Sequence, residues 1–184
     1  MTASLSEIVA FWNEAGAERW FAKDDLFDAT LRERFEASHR MAAAADLTEW
    51  QGPAEEGLAL LLLLDQVPRN IYRGTAHAFA TDPLARTLAR GMVDLGLDRE
   101  VPAALRVFVY LPFEHSEDAR DQLRSLRLFG ALFEEVGDQR IWDYAREHAR
   151  LIEIFGRFPH RNRLLGRFTT PEEQRFLDEG GFAG

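Results

Sequence analysis

The chain has 184 residues, 46% of them hydrophobic and 29% charged, a balance that suits one soluble globular domain spanning residues 1–184. Acids outnumber Lys and Arg by 31 to 22, and the net charge of −9 argues against nucleic acid and anionic lipid as partners. The lack of cysteine excludes disulfides, thiolate metal sites, iron–sulfur clusters and a Cys nucleophile.

The start, Met1-Thr-Ala-Ser-Leu-Ser-Glu, has no basic segment followed by an apolar run, so no signal peptide is expected. The apolar run Leu58–Leu64 is far short of the ~20 residues of a membrane span. A cytoplasmic protein with no membrane partner is the expectation.

Helical signals then follow one another along the chain. Ser4 and Glu7 have capping-box spacing ahead of Ile8, Val9, Phe11 and Trp12. Asp24 or Asp25 caps a long helix in which Phe27, Leu31 and Phe35 recur every four residues. Gly52-Pro53 breaks the chain, and Pro53 suits a first helical position ahead of Glu55 and Glu56. The helix that follows is apolar all round through Leu58–Leu64 and is expected to be the most buried one.

Pro68 is expected to end that helix, leaving residues 69–75 as a loop. Asp82-Pro83 reads as cap and first residue of a helix ending near Gly96. Pro102 opens a short helix and Pro112 closes it. Ser116, followed by Glu117 and Asp118, opens a long helix that ends at Gly137. Asp138 opens another, which runs to about Phe158-Pro159. Thr170 and Glu173 form a second capping box around Pro171, and the last helix stops at Gly180-Gly181. About eight helices joined by short loops, with no alternating stretch for a sheet, give an all-α fold. Successive antiparallel pairs would suit a helical-repeat array.

Three polar residues fall on apolar seams. His148 shares a face with Ile141, Ala145, Ile152 and Phe155. Gln122 shares one with Ala119, Leu126, Phe129 and Phe133. Asp65 follows Leu58, Leu61 and Leu62 to the negative end of its helix, where it needs donors or a cation. Arg69 and Arg73 are the nearest candidates.

Two segments concentrate arginine. One is Asp65-Gln-Val-Pro-Arg-Asn-Ile-Tyr-Arg; the other is Phe155-Gly-Arg-Phe-Pro-His-Arg-Asn-Arg. Between Leu151 and Arg167 four arginines face one acid, a local charge of +3 in a chain of −9. Guanidinium forks suit carboxylate or phosphate. The same arginines would equally lock helix ends to buried acids. His115, Glu117, His148 and His160 are metal-capable residue types. No His-Glu-x-x-His spacing occurs on a helix, so no metal and no cofactor is assigned.

Several stretches together resemble the bacterial domain-of-unknown-function family 924. They are Leu64-Asp-Gln-Val-Pro-Arg-Asn-Ile-Tyr-Arg-Gly-Thr, Ala78-Phe-Ala-Thr-Asp, Leu111-Pro-Phe-Glu-His-Ser-Glu and Phe155-Gly-Arg-Phe-Pro-His-Arg-Asn. Leu165-Gly-Arg, Thr169-Thr-Pro-Glu-Glu and the opening Ile8-Val-Ala-Phe-Trp complete the set; Val67 departs from it, where phenylalanine is expected. The resemblance implies an all-helical fold similar to tetratricopeptide repeats and brings no activity with it.

The expected function is an internal pocket for a small anionic or polar ligand. Asp65, Gln66, Arg69, Asn70 and Arg73 form one wall. His115, Glu117 and Gln122 form a second, and His148, Arg157, His160, Arg161 and Asn162 a third. His148 or His115 would serve as acid or base, since histidine titrates near neutrality, with Glu117 or Asp65 orienting it. The alternative is a peptide- or protein-binding helical module without catalysis.

Overall fold

The computed structural model describes residues 3–48 and 50–182. All regular elements among them are helical. The chain divides into two compact units, residues 1–73 with 77–112, and residues 74–76 with 113–184.

The first unit holds α1 (Leu5–Ala15), α2 (Ala17–Trp20), α3 (Asp25–Ala43), α4 (Ala54–Leu61), α5 (Val67–Ile71), α6 (Asp82–Asp94) and most of α7 (Ala103–Glu114). The Ser4–Glu7 capping box starts α1, and Asp24 caps α3 through the N–H groups of Leu26 and Phe27. The α4 helix is indeed the buried centre: every residue from Leu58 to Leu64 lies inside, and α1 and α6 both pack on it. Trp12, Trp20, Phe27 and Phe108 add an aromatic cluster with tilted and edge-on rings 5.0–5.8 Å apart.

Pro68 does not end the buried helix. Residues Leu62–Gln66 widen into a π-helical turn, and α5 continues through Pro68 to Ile71. A proline in a helix withholds one N–H and crowds the preceding turn. The carbonyls four and five residues before Pro68 belong to Leu64 and Leu63. Each has a side-chain donor instead: Thr81 Oγ1 donates to Leu64 O, and His39 Nδ1 lies 2.8 Å from Leu63 O. Arg69 Nη1 donates to Asp65 O at 2.9 Å and Asn70 Nδ2 to Gln66 O at 3.0 Å. Four successive carbonyls of the widened turn are thus covered by side chains.

Smaller boundary expectations shift for similar local reasons. Pro53 is the cap of α4 rather than its first residue. Asp82 is the first residue of α6, after Thr81, because its carboxylate is engaged by Arg69. Pro112 sits within the last turn of α7, which runs on to Glu114.

The second unit contains the end of α7, then α8 (Ala119–Val136), α9 (Gln139–Phe155) and α10 (Pro171–Asp178). Helices α8 and α9 pack on one another. Asp118, not Ser116, caps α8; the Ser116 hydroxyl accepts from Asp118 N and donates to Asp121 at 2.8 Å. Helix α9 stops at Phe155 rather than Phe158, because Gly156 (φ 69°) takes the left-handed conformation and donates to Ile152 O. Leu151, Ile152 and Phe158 form a core under Phe155, Phe176 and Phe182. No helix among the described residues is long and apolar enough to cross a membrane.

Candidate functional site

In the first unit the predicted wall is a closed network of ion pairs. Arg69 Nη1 lies 3.0 Å from Asp65 Oδ1, and the same guanidinium grips Asp82 with two bonds of 2.8 and 3.0 Å. Gln66 Nε2 donates to Asp65 Oδ2 at 2.6 Å. Arg73 holds Asp28 through Nε and Nη2, and Nη2 also reaches Asn70 Oδ1 at 2.9 Å. Asp65, Gln66 and Asn70 are buried. These five residues come together, and their side chains are turned on one another and on the π turn. An open cavity of about 520 Å³ in this unit is lined by His39, Arg40, Tyr72, His77 and Thr81, among others, and by none of the five.

The second unit gathers the other predicted residues. The face period of α9 carries His148 inward, where it is 6% exposed. Its Nδ1 lies 2.9 Å from Tyr144 O and 3.2 Å from Glu114 Oε1. The His115 and His148 rings are 6.1 Å apart, and Phe182 lies edge-on to both His148 and His160 at 4.6 and 5.6 Å. Phe158 packs against both rings as well. Burial, reinforced by the charges of His115 and Arg161, pushes His148 down to about 3. Burial, followed by Arg161, brings His160 to about 4. Both imidazoles are neutral near pH 7.

Backbone anchors surround these rings. The Gln122 amide donates to Glu114 O and Ser116 O at 2.8 and 2.6 Å, with Phe113 O at 3.3 Å. It therefore covers carbonyls left open at the end of α7. Arg161, itself buried, donates to His115 O at 3.0 Å and lies over the Phe158 ring.

Glu117 faces away from this role. It accepts two bonds from Arg167, at 2.7 and 3.0 Å, and one from Phe158 N at 2.8 Å. Burial raises its pKa, but these donors outweigh it and hold the carboxyl below its usual value. Arg157 forms a two-bond pair with Glu173, which also accepts from Asn162 and from Thr170 N. The Arg157 fork keeps Glu173 down at about 2 despite its burial.

Sequence reasoning missed Glu114, the carboxylate beside His148. Its only local signal is contiguity with His115 in Leu-Pro-Phe-Glu-His. It also missed the acids that take up the arginines, Asp82 and Glu173; Glu173 was legible only as a capping residue. Among the buried atoms without a hydrogen-bond partner are His160 Nδ1, Gln122 Oε1 and Asn162 Oδ1. Glu114, His115 and His148 each offer a ligand atom, and these atoms lie within 4.8 Å of one another.

A family model described as "Bacterial protein of unknown function (DUF924)" matches residues 8–181. The solved structure of a protein of unknown function, ATU0120 from Agrobacterium tumefaciens, is 48% identical to the chain. The match covers 96% of this chain and 97% of that one with a TM-score of 0.89. No curated protein matches.

Proposed function

Since the chain belongs to the bacterial DUF924 family, which carries no activity to transfer, we propose from the side-chain geometry that the second unit binds a small polar or anionic ligand beside His115, His148 and His160. The observation that carries this reading is the group of three imidazoles, His148 buried and the other two half-buried, of which His160 keeps a buried Nδ1 without a partner. A buried polar atom normally has one, so a guest that satisfies it gains what water cannot supply there. Arg161 adds positive charge from below, and Gln122 holds the turn that carries His115.

The reading favours binding over proton transfer by His148. A base held near 3 is far from the neutral value at which acid–base catalysis works best. His115, half-buried, is the histidine left for that task. Glu117 acts through Arg167 and Phe158 as a positioning residue. In the first unit, Asp65, Gln66, Arg69, Asn70 and Arg73 serve as helix clamps in this reading. The tetratricopeptide-like description of the helices belongs to the same proposal, supported by the packing of α8 on α9 across Gly137-Asp138.

Imidazole ¹⁵N NMR on protein kept in EDTA tests the reading. Titration with phosphate and with small carboxylates is expected to move the His115, His148 and His160 signals saturably. His160→Ala is expected to weaken that response at least tenfold. If none of these signals moves with any of the probes, the reading is wrong.

A further inference from the structure

The end of α7 and the middle of α9 bring together a carboxylate and two histidines: Glu114 and His115 are neighbours in sequence, and His148 meets them from the facing helix. Imidazole and carboxylate are donors for first-row divalent metals, zinc above all, and three protein ligands leave a position open to a small molecule. We propose that Glu114, His115 and His148 form a binding site for a divalent first-row transition metal, with Zn²⁺ as its type ion. This inference rests on the ligand-site reading above and gives it a centre: the open coordination position is where the polar ligand would sit.

Four features of the cluster fit a metal better than a mere core contact. The donor atoms already lie within 4.8 Å of one another, so small side-chain rotations bring them onto one ion. The backbone that carries two of the ligands is pinned, at Glu114 O by Gln122 and at His115 O by Arg161. Metal sites depend on such outer contacts to hold their ligands in place. His148 Nδ1 lies 3.2 Å from Glu114 Oε1, so the imidazole and the carboxylate already face one another, and Tyr144 O at 2.9 Å helps to hold the ring in place. Finally, Phe158 and Phe182 lie edge-on to the His148 ring and give it an apolar surrounding, where a divalent charge offsets the buried Glu114 carboxylate.

The test uses the full chain stripped with EDTA and then dialysed free of it. Titration with Zn²⁺ by calorimetry is expected to show one ion per chain at micromolar affinity or tighter. Co²⁺ is expected to give the visible absorption of a four- or five-coordinate site. Glu114→Gln and His115→Ala are each expected to weaken Zn²⁺ binding at least a hundredfold. Circular dichroism serves as the folding control, and His115→Ala, at a half-buried position, decides the matter if Glu114→Gln does not fold. No stoichiometric Zn²⁺ or Co²⁺ binding by the wild type overturns the proposal, as does binding that a folded variant leaves unchanged. Absent metal binding with the NMR response to phosphate or carboxylate retained in EDTA removes the metal and keeps the ligand site. Metal binding without any anion response does the reverse.

Discussion

The Thr81 hydroxyl donates to the Leu64 carbonyl, the acceptor that Pro68, four residues further on, has no N–H to fill. A proline inside the buried helix is thereby accommodated by a donor from another part of the chain. Thr81→Val removes that donor with little change of shape and leaves a buried carbonyl short of a partner, at a cost of roughly 1–3 kcal/mol. Pro68→Ala restores a backbone N–H at the same place. The loss caused by Thr81→Val should therefore shrink in a Pro68→Ala background, with a coupling of about 1 kcal/mol in a double-mutant cycle. Urea denaturation of the four proteins measures it, and strict additivity would mean that the two residues do not share the carbonyl.

This device marks the limit of what the sequence could disclose. The capping boxes at Ser4–Glu7 and Thr170–Glu173 are local, so their spacing alone located both helix starts. The inward turn of His148 was legible because the apolar face of α9 is periodic. Pro68 was misread because the residue before a proline is usually pushed out of the α region, whereas Val67 stays in it (φ −53°, ψ −50°) and donors from His39 and Thr81 cover the carbonyls that Pro68 leaves open. Glu114 was overlooked for a related reason: ending α7 at Pro112 puts it in a loop, while the helix runs two residues further and aims it at His148. The basic segment around Arg157 and Arg161 was visible as charge, but the acids that meet Arg157 and Arg167 are 16 and 50 residues away.

Asp65 and Arg69 test the clamp reading of the first unit. Asp65 is 1% exposed, and its removal leaves the half-buried Arg69 guanidinium with Asp82 as its remaining carboxylate. Asp65→Asn is expected to destabilise the protein by about 3 kcal/mol, the lower part of the range for breaking a buried pair. Equilibrium unfolding reads this directly. A stability equal to that of the wild type would instead mark Asp65 as a residue kept for something other than folding.

Gly57 reports on how closely α4 approaches its neighbours. A Cβ added there would meet Met92 Sδ and the Trp50 ring at 2.6 Å, well inside contact distance. The methionine can move, but it is fully buried and its neighbours must yield with it. Gly57→Ala is expected to lower stability by about 1–3 kcal/mol, despite alanine's better helix propensity. A higher melting temperature for this variant would show that the contact relaxes freely.

Gln122 joins the fold to the candidate site. Gln122→Met keeps the volume of the side chain and removes the amide that covers Glu114 O and Ser116 O. The expected result is a loss of about 2 kcal/mol, from carbonyls left without their donor. A second expected result is faster hydrogen exchange at the end of α7, which a change of core packing alone would not produce. Unchanged exchange from Val109 to Ser116 would show that the turn holds itself.

Acid should weaken the protein before its carboxylates titrate. His148 and His160 are held at about 3 and about 4 in the folded state, against about 6.5 when exposed. His39, buried where its Nδ1 meets Leu63 O, is lowered too, with burial as the main cause. Between pH 6.5 and the folded values, the unfolded chain binds protons that the folded one refuses. Stability is therefore complete above pH 6.5 and falls as pH drops, by roughly 1 kcal/mol per pH unit near pH 5 for each of His148 and His160. Glu173 follows in the same direction, its contribution being present above about 4.5 and lost as pH falls through about 2. Urea midpoints measured in EDTA at pH 8, 6 and 5 should decline in that order. In His160→Gln the decline from pH 6 to 5 should be shallower than in the wild type, because one of the refused protons is gone. An equal slope in the two proteins would place the His160 ring in contact with water.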